Sequence, residues 1–318
     1  MTRDQLEQQQ IPLYFAAVAI AVVSGLLAPT ASAGLAVLIS PAIAVLMYAM
    51  FLQMPFLDRR TSLPKRRFMG ALLLANFVFI PPLVWLGTRG LVEHPGLLLG
   101  ALLVLLTPCI DYVVVFTHLG KGDARATLAA TPVLLLAQLL LLPVYLPLMM
   151  GDDLTVQLTL APFIEAFLSL IALPLLLAVL SCASARRLPA MAAWNHACAW
   201  LPVPAMALVL VLVVGSQIGE VLRDVQRWVP VLPVYIGFAL LAPCVGMLTA
   251  RLWRLPLAQV RSLAFSTATR NSLVVLPLAL ALPPQWRTHA AAAVMTQTLV
   301  ELVAELIYVR WVPKLIRR

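Results

Sequence analysis

The sequence has few charged residues. Only 11% of its 318 residues are Asp, Glu, Lys or Arg, whereas 62% are hydrophobic, and the mean hydropathy is +0.98. A soluble globular domain has about 25% charged and roughly 45 to 50% apolar residues, so this composition excludes one. The composition is instead typical of a chain that is embedded in lipid along most of its length.

Recognisable catalytic and metal-binding patterns are also missing. The four cysteines have no paired spacing, which argues against a disulfide framework or a zinc site. The sequence contains no Gly-x-Ser-x-Gly and no His-Glu-x-x-His pattern, and no histidine lies near the polar centre described below. We therefore expect a protein that is not an enzyme and has no resident cofactor or metal.

Apolar stretches long enough to cross a membrane follow one another along the chain. The links between them carry turn residues and charges, as at Asp152 and Asp153 or at Pro283 and Pro284. The sequence predicts ten spans, at residues 11–29, 35–56, 68–88, 97–119, 127–150, 158–181, 198–218, 230–250, 257–282 and 289–309.

The first span has an alternative interpretation. Ala31, Ser32 and Ala33 follow an apolar stretch and resemble a signal-peptidase site. However, residues 1–10 are not net positive, and the apolar run is longer than a usual signal core. We keep this stretch as the first of the ten spans.

Positive charges give the predicted orientation, because Lys and Arg near span ends remain on the cytoplasmic side. Most of the 22 basic residues fall on the face that carries both chain ends, and the other face receives only Arg89, Arg223, Arg227 and Arg287. We expect both termini in the cytoplasm of a bacterial-type inner (plasma) membrane. The net charge of +9 then marks one membrane face and does not indicate a nucleic-acid partner.

Ten spans divide into two sets of five, and an odd number of spans per half gives the halves opposite orientation. We expect an all-α membrane protein with one transporter domain, residues 1–318, built from an inverted repeat of residues 1–155 and 156–318. Asp111 and Arg270 are 159 residues apart, as are Gln138 and Gln297, and this offset is half of the chain.

Polar residues interrupt spans four and nine near their middles, and matching interruptions in two halves point to the binding site of a transporter. Span four is interrupted at Pro108 and Asp111, and span nine at Arg270 and Asn271. A charge at the bilayer centre costs about 2.5 to 3.5 kcal/mol on insertion scales. We therefore expect Asp111 and Arg270 to pair where the two helices cross, either as a purely structural ion pair or as part of the substrate site.

Span ten carries two carboxylates. Glu301 and Glu305 are four residues apart and share a helix face, with Glu301 nearer mid-depth. For Glu305 the alternative is that its side chain merely extends towards Arg310.

Residues 108–123, 264–271 and 298–301 resemble the arsenite-efflux permeases of the bile acid/arsenite/riboflavin transporter superfamily. The shared features include Cys109 followed by Ile110, a Gly-Asp exit at Gly122 and Asp123, and Glu301 in span ten. The resemblance implies ten spans in two inverted five-helix repeats, a panel and a core domain, and spans four and nine that unwind and cross in the core. It also implies transport roles for Cys109 and Glu301.

The chemistry of trivalent arsenic agrees with such a site, because arsenic is thiophilic and its hydroxide is neutral at pH 7. The chain departs from the arsenite branch at Pro108, where an arginine is usual, at Asp111, where a small or neutral residue is usual, and at Arg270, where a neutral amide is usual. An arginine in the core can replace a bound sodium ion or bind an anionic substrate, and a carboxylate beside it can carry a proton.

The sequence therefore predicts a secondary active transporter that exports arsenite or a related metalloid with the proton gradient. The alternative is a sodium- or proton-coupled symporter of small organic anions in the same superfamily. The expected partners are a small inorganic or organic solute, the lipid bilayer and a coupling H⁺ or Na⁺. The predicted substrate-binding residues are Cys109, Asp111, Arg270, Asn271 and Glu301, and the predicted coupling or cavity residues are Thr107, Thr269, Gln138 and Gln297.

Overall fold

The described part of the chain is almost entirely helical. The structure, a computed structural model, describes residues 9–28, 34–53, 66–110, 112–150, 165, 168–223 and 229–316. Within these ranges there is no β-strand, only an isolated β-bridge between Pro108 and Arg270. The helices are α1 (Gln10–Leu27), α2 (Ile39–Leu52), α3 (Arg66–Leu74), α4 (Ile80–Gly87), α5 (Pro95–Leu105), α6 (Val113–Leu119), α7 (Ala124–Met150), α8 (Leu173–Ala185), α9 (Pro189–Cys198), α10 (Pro202–Arg223), α11 (Val231–Leu252), α12 (Leu257–Ala268), α13 (Ser272–Leu280) and α14 (Pro284–Leu315).

Several of these helices are long and apolar enough to cross a membrane. Among the described residues, four meet both conditions of length and composition, namely Arg66–Gly87, Ala124–Met150, Val231–Leu252 and Gln285–Leu315. A fifth candidate is the pair Pro189–Cys198 and Pro202–Ser216, which is bent by 48°. Shorter apolar helices lie at Pro12–Leu27, Ile39–Leu52, Pro95–Leu105 and Leu173–Ala185. Helical segments fall within all ten predicted stretches, and the number of membrane crossings stays a prediction.

The outer faces of these helices are apolar and their inner faces carry the polar groups. In α7, Leu140 and Leu148 are 74% and 72% exposed, whereas Thr131 and Gln138 are buried. Leu240 in α11 is likewise 67% exposed. This pattern is the reverse of that in a water-soluble protein and is typical of helices surrounded by lipid. The chain is therefore a multi-pass membrane protein.

The chain forms two compact units. The first unit consists of Met1–Leu57 with Leu160–Val225, and the second of Asp58–Thr159 with Gln226–Arg318. Each unit combines helices from both halves of the sequence. The predicted repeats at residues 1–155 and 156–318 describe those halves rather than these units, and the repeat symmetry stays a prediction.

In the first unit, α1 packs closely on α10 and α2 packs on α8. Gly25 permits the first approach, because a Cβ there would lie 2.6 Å from the carbonyl oxygen of Gly215. Between α2 and α8, the hydroxyls of Tyr48 and Ser181 are hydrogen-bonded at 2.8 Å. From α9, Nε1 of Trp194 donates to the Tyr48 oxygen at 3.1 Å. Small residues and interhelical hydrogen bonds hold helices together in lipid, where burial of apolar surface supplies little driving force.

In the second unit, α5 is the central helix, and every one of its residues after Pro95 is buried. Gly96 and Gly100 face α14, where a Cβ on Gly100 would collide with the backbone of Ala290. The spacing of these two glycines is that of the small-xxx-small pattern, which allows two helix backbones to come into direct contact. The close contact places the buried face of α14 beside α5.

Three breaks in helical geometry shape the interior of this unit. α5 ends at Leu105 and α6 begins at Val113, while α12 ends at Ala268 and α13 begins at Ser272. Between α3 and α4, the residues Ala75–Phe79 form a turn of π-helix. Such π turns occur often at functional sites, because they reorient one side chain without ending the helix.

Candidate functional site

The two helix breaks of the second unit lie side by side and pair through their backbones. The link after α5 and the link after α12 form the antiparallel bridge of Pro108 with Arg270. The N–H of Cys109 donates to the carbonyl oxygen of Thr269 at 3.0 Å, and the N–H of Asn271 donates to that of Thr107 at 2.8 Å. Broken helices leave backbone groups that lipid cannot satisfy, so this pairing makes the breaks tolerable inside a membrane.

A proline lies within the first break, and an amide cap defines the end of the second. Pro108 has no N–H and cannot occupy a helix interior without loss of a hydrogen bond. Asn271 is the N-cap of α13, and its side-chain oxygen accepts from the N–H of Val274 at 3.4 Å. Asn is among the preferred N-cap residues, because its short side chain satisfies a first-turn N–H.

The guanidinium of Arg270 is completely buried and is surrounded by neutral oxygens. Nη1 donates to the carbonyl oxygen of Leu105 at 3.2 Å. Nη2 donates to Oδ1 of Asn76 at 3.0 Å, to the carbonyl oxygen of Ser266 at 2.9 Å and to that of Thr267. We call these four oxygens the oxygen cage. Among the described residues, no carboxylate belongs to this cage.

The oxygen cage is built from helix ends. Leu105 is the last residue of α5, and Ser266 and Thr267 lie in the last turn of α12. The last four carbonyls of a helix have no partner within it, and they form the negative end of the helix dipole. Two helix C-termini therefore converge on one positive charge. The ring of Phe238, whose centroid is 5.2 Å from the guanidinium carbon, adds a cation–π contact.

Asn76 supplies the fourth oxygen from the π turn between α3 and α4. Its side chain is fully buried, and its Nδ2 donates to the carbonyl oxygen of Leu72 at 3.1 Å and to the hydroxyl of Ser266 at 3.2 Å. Because both hydrogens of Nδ2 are engaged in these bonds, the amide is held with its Oδ1 directed at Arg270. Asn76 was not among the predicted site residues; as the single amide of predicted span three, it is expected from sequence to line a cavity or to pack against a neighbouring helix.

Glu301 on α14 joins both helix breaks. Its Oε2 accepts from the backbone N–H of Arg270 at 2.8 Å and from Nε2 of Gln297, one turn away on α14. Its Oε1 lies 2.6 Å from the hydroxyl of Tyr112, which also lies 3.1 Å from the carbonyl oxygen of Arg270. The carboxyl group is only 3% exposed. Tyr112 was not a predicted site residue, although it directly follows the first interruption.

Glu305 is buried too, so its predicted extension towards Arg310 is wrong. It is 0% exposed, and its Oε1 lies 2.6 Å from the hydroxyl of Thr269. That hydroxyl is also 2.7 Å from the carbonyl oxygen of Phe265. A hydroxyl has one hydrogen, so both contacts are full hydrogen bonds only when Glu305 is protonated and donates to Thr269.

A small pocket of about 10 Å³, roughly the room that one water molecule needs, lies against the carboxyl group of Glu301. Glu301 and Gln297 supply its polar wall, and Tyr235, Phe238 and Tyr308 supply aromatic surface. The two tyrosine hydroxyls are engaged elsewhere, with the carbonyl oxygens of Ala293 and Ala239 respectively. The side-chain oxygen of Gln297 is buried and has no hydrogen-bond partner among the described residues, so it remains available to a solute.

The other predicted residues differ in how they relate to this centre. Cys109 is fully buried in the paired link and does not line the pocket. The hydroxyl of Thr107 donates back to the carbonyl oxygen of Leu103 at 3.0 Å. Gln138 is buried in α7 without a hydrogen bond to the paired links or to any described residue. Asp111 lies outside the described residues, so its pairing with Arg270 stays a prediction.

No group of His, Cys, Asp or Glu side chains suited to a metal ion occurs among the described residues. The centre consists instead of two paired helix breaks, a caged cation, two buried carboxyl groups and an adjoining pocket. Interrupted helices that meet inside a membrane-embedded helical protein define a class, the secondary transporters.

Comparison with known proteins agrees with this class. A model of the Sodium Bile acid symporter family matches residues 40–224, more than half of the chain. The chain belongs to this family and is a membrane transporter of a small solute; members of the family are transporters rather than enzymes. The matched region includes the first helix break and ends before the second. None of the curated proteins compared with the chain matches it.

Proposed function

We propose that this protein is a proton-coupled secondary transporter that exports arsenite or a related neutral hydroxide. We also propose that its ten spans form two inverted five-helix repeats in a bacterial inner membrane, with both termini in the cytoplasm. The two compact units, each of which combines helices from both halves of the chain, support the repeat arrangement.

The observation that carries the proposal is the position of Glu301. The two carboxyl oxygens of this side chain contact the second helix break at Arg270, the first helix break at Tyr112 and the pocket wall at Gln297. A change at the carboxyl group therefore reaches the pocket and both breaks together. Coupling between a driving ion and a cargo requires such a shared element.

The hydrogen bonds of Glu301 depend on whether its carboxyl group carries a proton. An ionised carboxylate accepts from the Arg270 N–H, the Tyr112 hydroxyl and the Gln297 amide at once, since it is purely an acceptor. A protonated carboxyl group donates one hydrogen, which the Tyr112 oxygen can accept while the Tyr112 hydroxyl donates to the carbonyl oxygen of Arg270. Protonation thus moves the hydrogen bond of the Tyr112 hydroxyl from Glu301 to the backbone of the second link, and we propose that this exchange couples a proton gradient to alternating access.

A neutral solute suits the charges around the pocket. Glu301 faces the pocket, whereas the guanidinium of Arg270 is directed into the oxygen cage and does not line it. An anion would meet a carboxyl group without a facing cation among the described residues. Arsenous acid is uncharged at pH 7 and has hydroxyls for Glu301 and Gln297. We propose Cys109, in the adjoining link, as a single soft ligand: its thiol would replace one hydroxyl of arsenous acid, which leaves as water, and hydrolysis of the As–S bond reverses the step. Because Cys109 does not line the pocket, this step requires the paired links to move.

Uptake of a small organic anion with sodium or protons is the second candidate function. The family description itself favours it, since that name refers to sodium and to bile acids, which are organic anions. Nε of Arg270 has no hydrogen-bond partner among the described residues, and in this candidate function it donates to the substrate carboxylate. This binding mode would require a path to Arg270 that the pocket lining does not include.

Arsenite resistance tests the first proposal. Expression in an arsenite-sensitive bacterial strain should lower cellular arsenite, and Cys109→Ser and Glu301→Gln should each abolish the effect. Cys198→Ser is the matched control, because Cys198 is equally buried but lies in the first unit. Unchanged arsenite in cells with membrane-inserted protein would contradict arsenite export. Sodium-dependent uptake of a labelled organic anion, lost in Arg270→Gln, would establish the second candidate instead.

A further inference from the structure

The family description implies a sodium ion, and the oxygen ligands at the paired links are of the kind that bind sodium. However, the side chain of Arg270 already occupies the space between them. Backbone and amide carbonyl oxygens are the ligands that hard cations take from proteins. The oxygen cage is composed of such ligands, from Asn76, Leu105, Ser266 and Thr267, and all four bind the guanidinium of Arg270.

We infer that Arg270 is a built-in cation that takes the place of a coupling sodium ion at the paired helix breaks. The guanidinium nitrogens lie 2.9 to 3.2 Å from three of the cage oxygens, so no space remains for a metal ion among them. The cage oxygens are neutral, and their negative potential comes from two helix C-termini. This potential stabilises one positive charge, whereas a second would be repelled by the first at close range.

A tethered cation has a different consequence from a bound ion. Sodium can enter and leave with the cargo and so link transport to a sodium gradient. The Arg270 guanidinium stabilises the same helix ends permanently and cannot be released. The site therefore keeps the stabilising effect of a bound cation on the two helix ends, but it cannot couple transport to a sodium gradient. This inference concerns the driving ion at one site and does not depend on whether the cargo is arsenite.

The inference is tested by sodium-specific stabilisation of the purified full-length protein in detergent. Melting temperatures are compared in NaCl and in KCl at equal ionic strength, so that general salt effects cancel. The wild type should show no difference. Arg270→Ala, which empties the cage, should be less stable in KCl and should gain a saturable rise of about 2 °C or more in NaCl, because a ligand that binds the folded state stabilises it.

Three further variants make the result specific. Arg270→Lys keeps a tethered charge and should show no sodium response. Arg287→Gln removes an exposed arginine that does not contribute to the cage, and like the wild type it should show no sodium response. The double variant Arg270→Ala with Asn76→Ala removes a cage oxygen and should lose the sodium response that Arg270→Ala gained.

Two results would overturn the inference. One is a folded Arg270→Ala protein whose melting temperature is the same in sodium and potassium. The other is a sodium-specific rise in the wild type that Asn76→Ala abolishes, since sodium would then share the cage with Arg270. Should Arg270→Ala fail to fold, binding of radioactive sodium to wild type and Asn76→Ala decides: no binding by the wild type supports the inference, and binding lost in Asn76→Ala refutes it. A failure of arsenite export would leave all these outcomes unchanged.

Discussion

The backbone N–H of Arg270 donates to Oε2 of Glu301 at 2.8 Å, while the side chain of the same arginine is enclosed in the oxygen cage. One residue thus has two separate functions in the site. Its guanidinium stabilises the ends of α5 and α12, and its backbone holds the carboxyl group that faces the pocket. The static charge and the titratable group are adjacent in space but have different hydrogen-bond partners.

Glu301→Gln should abolish proton-driven transport while the protein still folds. Glutamine has nearly the same shape and still accepts through its oxygen, but it cannot take up a proton. We expect at least a tenfold loss of transport, measured as solute uptake into inverted vesicles energised by an acid-inside pH gradient, with solute exchange at equal pH reduced less. Glu165→Gln, a change at an exposed carboxylate of the first unit, should have no effect. Full pH-driven transport by Glu301→Gln would exclude Glu301 as the proton site.

Much of this site was predictable because polar groups are rare in an apolar chain. The interruptions at Pro108 and at Arg270 stand out in sequence for that reason, and the structure pairs those two links. The carboxyl group of Glu301, selected on similar grounds, joins them. A membrane excludes unsatisfied polar groups, so each remaining one carries information about the interior.

The contributions of backbone and aromatic groups were not predictable in the same way. Three of the four cage oxygens are main-chain carbonyls, which every residue possesses, and only the ends of α5 and α12 make them available. Phe238 and Tyr235 belong to a helix that is apolar until its last turn, and the sequence does not distinguish rings that line a pocket from rings that face lipid. Asp111 lies outside the described residues, so that part of the predicted site remains a prediction.

Glu305→Gln should be tolerated far better than Glu305→Leu. The contacts of Thr269 with Glu305 and Phe265 are both satisfied when residue 305 donates a hydrogen, and a glutamine amide can donate one. Leucine leaves the buried Thr269 hydroxyl with one partner fewer and cannot replace this hydrogen bond, a loss of about 1 kcal/mol. Melting temperatures in detergent should remain near the wild-type value for Gln and fall by several degrees for Leu. The opposite order would contradict a stabilising hydrogen bond between residue 305 and Thr269.

Gly100→Ala should destabilise the second unit, whereas Gly237→Ala should not. A Cβ at residue 100 would collide with the backbone of Ala290 on α14, and backbone atoms cannot rotate away. Overpacking of this kind costs about 1 to 3 kcal/mol. Gly237 lies within α11 with nothing within 4 Å of an added Cβ, and alanine is the better helix former there. The comparison is made by thermal unfolding of both variants, and equal melting temperatures would contradict direct backbone contact between α5 and α14.

Asp111 and Arg270 should behave as a coupled pair in a double-mutant cycle. The four cage oxygens are neutral, and Nε of Arg270 has no partner among the described residues, so a carboxylate from the first link would complete both the charge balance and the hydrogen bonding. Removal of one member of a buried pair leaves the other charge uncompensated, which is more costly than removal of both. We therefore expect Asp111→Asn and Arg270→Gln each to lower the melting temperature, and the double variant to lose less than the two losses combined. Asp123→Asn, at the exit of α6, should instead add to Arg270→Gln, because distant sites are independent. Additive losses for Asp111 and Arg270 would show that the two charges do not interact, and the oxygen cage would then hold the guanidinium without a counter-ion.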